Sequence, residues 1–94
     1  MEHTVEELVQ MQHAADAAHS QVLALRDQFG PPTHKEWGPQ QSEAYETAWR
    51  AWRDLAQAVQ AAVTAYAKAS GQARSEVETI VKRRARHPEL EYEE

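Results

Sequence analysis

Five histidines, at positions 3, 13, 19, 34 and 87, are the first residues to ask about chemistry. His13, Asp16 and His19 have the types of a metal site and stand three apart. On a helix each step of three turns through about 300°, so the two imidazoles diverge around the axis; helical zinc pairs usually stand i,i+4. This spacing predicts solvated surface histidines and no metal site. His19-Ser20 has no acid placed to orient the imidazole, so no nucleophile–base pair is expected. The absence of cysteine excludes thiolate catalysis, thiolate metal sites and a disulfide scaffold. The three glycines fall where helices are expected to begin or end and build no phosphate-cradling loop. The apolar helix faces carry no carboxylates, so a di-iron type of cluster is not expected either. The residues lead to a non-enzymatic protein with no cofactor and no evident small-molecule substrate.

One charged motif remains. Residues 72–87 carry Arg74, Lys82, Arg83, Arg84 and Arg86 against Glu76 and Glu78, and four glutamates follow within residues 88–94. A basic helix can contact phosphates, so nucleic-acid binding by Arg74, Lys82, Arg83, Arg84 and Arg86 is the alternative function to weigh. Several observations favour a simpler role. Cations in a last turn complement the helix dipole by ~0.3–1 kcal/mol, and Glu78–Lys82 is a favourable i,i+4 pair. The chain as a whole carries a formal charge of −5, and no aromatics are interleaved with these bases. The acidic tail is also placed to shield the cluster.

The elements that would carry these residues are helical. Only 14 residues are Leu, Ile, Val or Phe, whereas 17 are Ala, and three Gly and four Pro are too few for a turn-rich β domain. Thr4 with Glu7 reads as a capping box. Leu8, Met11, Ala15, Ala18, Val22, Leu25 and Phe29 then alternate spacings of three and four, a heptad seam on a first helix over about residues 4–29. Gly30-Pro31-Pro32 stops it. After a loop, Pro39 suits a first helical position. Tyr45, Ala48, Trp52, Leu55, Val59, Ala62, Tyr66 and Ala69 form a second seam, over about residues 39–70, which Gly71 ends. Folded back as an antiparallel hairpin, the seams pair in layers whose residue numbers add to 73 or 74, from Phe29 with Tyr45 to Leu8 with Tyr66. Large residues then meet small ones, which allows a close helix approach.

Ser75 with Glu78 reads as a second capping box, opening a short third helix over about residues 75–87. Val77, Ile80, Val81 and Ala85 mark its apolar side, and Pro88 ends it. The alternative is one long helix bent at Gly71. The expected architecture is all-α: a two-helix hairpin and a short third helix in one domain over residues 1–87. The acidic tail, residues 88–94, is expected to be disordered.

The hairpin leaves apolar residues unused. Trp49, Ala56 and Val63 lie off the second seam at intervals of seven, and Val5 and Val9 lie off the first. The third helix should cover Val63 and the Val5/Val9 region but not Trp49. Trp37, in the loop, either folds over Trp49 as a cap or joins it in a patch for association, since tryptophan dominates binding hot spots. Trp37, Trp49, Ala56 and Val63 are the candidate interaction residues. The expected function is protein–protein interaction, as an adaptor or regulator, through homodimerisation to a helical bundle or a heterologous partner.

No run approaches the roughly 18 apolar residues of a membrane helix. The first twenty residues, with Glu2, Glu6, Glu7 and Asp16, do not look like a signal or transit peptide, so a cytoplasmic location is expected. Arg outnumbers Lys seven to three, which together with the abundant Ala suits a high-GC bacterial genome.

Two long helices around a loop bearing Trp37-Gly38 resemble the WXG100 family of small secreted proteins. That family carries a Trp-x-Gly motif in the turn; here no residue separates Trp37 from Gly38. The family's tail signal is an aromatic followed four residues later by an acid, whereas Tyr66 is followed by Ser70. The resemblance spans residues 4–70 and implies an exported helical hairpin.

Overall fold

A computed structural model describes residues 3–31 and 36–87. Three helices make up the fold, α1 (Val5–Phe29), α2 (Pro39–Ser70) and α3 (Arg74–Arg86), and no strand occurs among the described residues. The expected tail, residues 88–94, lies outside them. The long dimension of 49 Å is close to α2 alone, whose 32 residues would span about 48 Å at 1.5 Å each.

Local chemistry sets most of the ends. Thr4 Oγ1 accepts from the Glu7 backbone N–H at 3.1 Å and starts α1. Gly30 closes it at φ +79°, donating its N–H to the Arg26 carbonyl at 2.9 Å. At the start of α2, Pro39 follows Gly38, whose N–H donates to the Gln41 side-chain oxygen at 2.9 Å. Gly71, left-handed at φ +73°, breaks the chain between α2 and α3, and Gln72 N–H reaches back to the Ala67 carbonyl at 3.1 Å. The helices are therefore separate, and the single bent helix is set aside.

The start of α3 differs from expectation. Its cap is Ala73, with no side-chain bond, and Ser75 lies inside the first turn. With Ala73 as the cap, Glu78 stands beyond the N3 position of a capping box and pairs with two cations instead. Arg74 donates to it at 2.9 Å and Lys82 at 2.6 Å, one turn before and one turn after.

All three helices share one core: Leu8 and Ala15 from α1, Val59, Ala62, Val63 and Ala67 from α2, and Val77 and Val81 from α3. Met11 and Tyr66 pack against it. Farther along, His19 stacks on Trp52 at 4.5 Å, and at the other end Trp37 bridges Phe29 at 5.7 Å and Tyr45 at 5.0 Å. Residue numbers thus rise along α1 as they fall along α2.

The second heptad seam holds in part. Leu55 is 37% exposed, and Ala69 is exposed too. Tyr45, Ala48, Trp52, Val59, Ala62 and Tyr66 of that line are buried or half-buried, and toward the C-terminal end the buried face widens to Val63 and Ala67, at steps of four that fit an eleven-residue repeat. Eleven residues over three turns is about 3.67 per turn, near the 3.6 of a straight helix, whereas a strict heptad needs supercoiling to about 3.5. Val63 is therefore 1% exposed, under α3, and is not available as an interaction residue.

Candidate interaction surface

α3 covers the α2 face only at its C-terminal end. The guanidinium of Arg74 fixes the boundary: its Nε donates to Thr64 Oγ1 at 2.9 Å, and its Nη2 donates to the Gln60 side-chain oxygen. Among the described residues no helix covers the flank of α2 around Trp49 between Pro39 and Gln60, and Trp49 stands there 40% exposed.

Two shallow hollows share Trp49. One is lined by Tyr45, Glu46, Trp49, Arg50 and Arg53. The other, almost wholly apolar, is lined by Trp49, Trp52, Arg53, Ala56, Gln57 and Gln60. The Trp49 ring is fixed from two sides. Trp52 meets it edge to face at 6.5 Å, and the Arg53 guanidinium lies over it at 5.4 Å. Trp52 is held in turn by the His19 stack, so the indole edge rests on the hairpin and not on a loose loop. Arg53 also donates to Asp54 at 3.3 Å, and Arg50 lies 3.8 Å from Glu46. Both ion pairs are well exposed and are worth at most about 1 kcal/mol each.

Trp37 is not part of this surface. Its Nε1–H donates to the Gly30 carbonyl at 2.8 Å, and its ring fills the end of the hairpin between Phe29 and Tyr45. It does cap the hairpin, but against those two rings and not over Trp49. Of the four candidate residues, Trp49 and Ala56 share one face, Trp37 closes the end and Val63 is in the core. The sequence reading missed Glu46, Arg50 and Arg53, although their i, i+3, i+4, i+7 relation through Trp49 was present in it.

The five bases of α3 do not form one surface. Arg74 and Lys82 are both engaged by Glu78. Arg84 turns toward a small cleft of about 100 Å³ with Val5, Tyr66, Gln72 and Ile80. Arg83 and Arg86 are exposed on the outer side. The Lys82 hydrogen bond, with the charges of Lys82 and Arg74, holds Glu78 below the ordinary glutamate value of 4.5 against the partial burial that would raise it.

The histidine set is dispersed as well. His13 is exposed, Asp16 accepts from Gln12 at 2.9 Å, and His19 stacks on Trp52. Among the described residues no three His, Asp or Glu come together where they could hold a metal ion. No helix among them is long and apolar enough to cross a membrane. Compared with family models, curated proteins and solved structures, the chain matches none of them.

Proposed function

We propose that this chain is a small non-enzymatic helical interaction module, an adaptor or regulator, whose contact surface is the α2 flank around Trp49 and which associates with itself. One observation carries the reading: an indole that is 40% exposed, held by Trp52 and Arg53, on a helix flank that α3 does not reach. Tryptophan and arginine supply most interface hot spots, and a side chain already held in place loses little conformational freedom on binding. The core supports the reading from the other side. Its largest fully buried side chains are Leu8, Val59, Val63 and Val81, a thin apolar interior that further burial would strengthen.

Trp49→Ala tests the reading. Sedimentation equilibrium should show self-association weakened at least tenfold, with far-UV circular dichroism unchanged, because Trp49 contributes little to the core. Unchanged association, or a helix loss that parallels the mass loss, would count against the surface.

A further inference from the structure

The uncovered stretch of α2 has two ends, the helix start at Pro39 and the Arg74 contact at Gln60. Its midpoint falls between Trp49 and Arg50. The hollow on one side of Trp49 is lined by Glu46, Trp49, Arg50 and Arg53 together with Tyr45. Those four stand at i, i+3, i+4 and i+7, the four-residue hole that accepts a knob from a facing helix. The exposed knob on this flank is Trp49 itself.

Knob and hole therefore lie on the same patch, which is the condition for an isologous twofold contact. Resting on the reading of this flank as the contact surface, we propose that its partner is a second copy of the chain: the two α2 helices pair antiparallel about a twofold axis between Trp49 and Arg50, each Trp49 seated in the other's hole. Paired residue numbers then add to 99. Glu46 lies across from the partner's Arg53, and Arg53 from the partner's Glu46, so opposite charges meet on both sides of the axis. Arg50 lies beside the partner's Trp49, a cation next to an aromatic ring. A parallel pairing would instead set Arg50 and Arg53 against their own copies. The overlap runs the length of residues 39–60, about 33 Å at 1.5 Å per residue, and ends where α3 begins to cover α2.

The chain has no cysteine, so single cysteines can report the register. Ser42 and Gln57 are paired positions. In a pure sample of either variant the introduced thiols lie about 22 Å apart along the helix, too far for a disulfide. Mixing full-length Ser42→Cys with full-length Gln57→Cys should give the mixed disulfide at least tenfold faster than either variant links to itself. Adding Trp49→Ala to both should slow it at least tenfold. Glu46→Arg alone and Arg53→Glu alone should each slow it several-fold, and the two together should restore it. Fast self-linking of each variant would mean a parallel pair, overturning the register while self-association stands. A mixed disulfide indifferent to Trp49→Ala and to the charge reversals would overturn the knob-and-hole contact. No disulfide in any sample, with a monomer mass by light scattering, would overturn both the pairing and the self-association. Circular dichroism on each variant separates a lost contact from a lost fold.

Discussion

Replacing Leu8 and Leu55 by alanine, one at a time, distinguishes the two ways of laying α2 against the rest of the molecule. Both leucines belong to the heptad seams, which would make them equal. The structure makes them unequal: Leu8 is 0% exposed in the three-helix core, and Leu55 is 37% exposed. Leu→Ala removes about three methylene equivalents, ~2.4 kcal/mol of transfer free energy. At Leu8 a cavity adds to this. If roughly 60 Å³ stays open, the added cost is ~1.5 kcal/mol, for a total near 4. At Leu55 about six-tenths of the transfer value applies, ~1.5 kcal/mol at most, and a site open to water leaves no closed cavity. Alanine's better helix propensity reduces it further. The expected difference is about 2.5 kcal/mol, or about 10–20 °C in Tm for a domain of this size. Urea unfolding followed by circular dichroism measures it, at a concentration where both variants are monomeric. Equal losses would refute the exposed position of Leu55 and restore the full heptad seam.

Three further outcomes are expected. Glu78 has a depressed folded pKa, so its ion pairs with Arg74 and Lys82 stabilise the fold above the unfolded value near 4.5 and are lost as pH falls through the folded value. Glu78→Gln should accordingly flatten the acid side of a Tm-against-pH curve, by under ~1 kcal/mol because the pairs are partly exposed; identical acid limbs would mean the pairs add nothing. Trp37→Phe keeps a ring between Phe29 and Tyr45 but loses the bond to the Gly30 carbonyl, costing ~1 kcal/mol, whereas Trp37→Ala should cost ~3. Equal costs in thermal melts would show that the ring contacts do not hold the hairpin end. Gly71→Ala, at φ +73° with open space around it, should lower stability by about 1 kcal/mol through backbone strain alone, and no loss would mean the turn relaxes.

What could be read from the sequence follows how local each signal is. Thr4, Gly30, Pro39 and Gly71 act within one turn of themselves, and the helix ends fell within a residue of the sequence reading. The Ser75–Glu78 pair fits two chemistries, a capping box and a carboxylate between i−4 and i+4 cations. The second is the one seen: the helix starts from Ala73, so Ser75 falls inside the first turn and Glu78 beyond the capping position. On α2 alanines occupy both the heptad and the eleven-residue lines, so periodicity alone could not choose between Ala62 and Val63 as the deeper position. α3 resolves it by packing over Val63. Trp37 lay in a loop, where no period predicts a neighbour. Its partner became apparent only once Gly30 turned the chain. Trp49 was legible as a leftover, but its hole was not, because Glu46, Arg50 and Arg53 are exposed charges that no apolar period marks.

The proposed contact joins two copies of this chain through the α2 flank around Trp49. Molar mass by light scattering after size exclusion, over a series reaching about 1 mM, tests it directly and detects association as weak as about −4 kcal/mol. The mass should rise with concentration from 10.7 kDa toward twice that value. A mass fixed at 10.7 kDa throughout would contradict it.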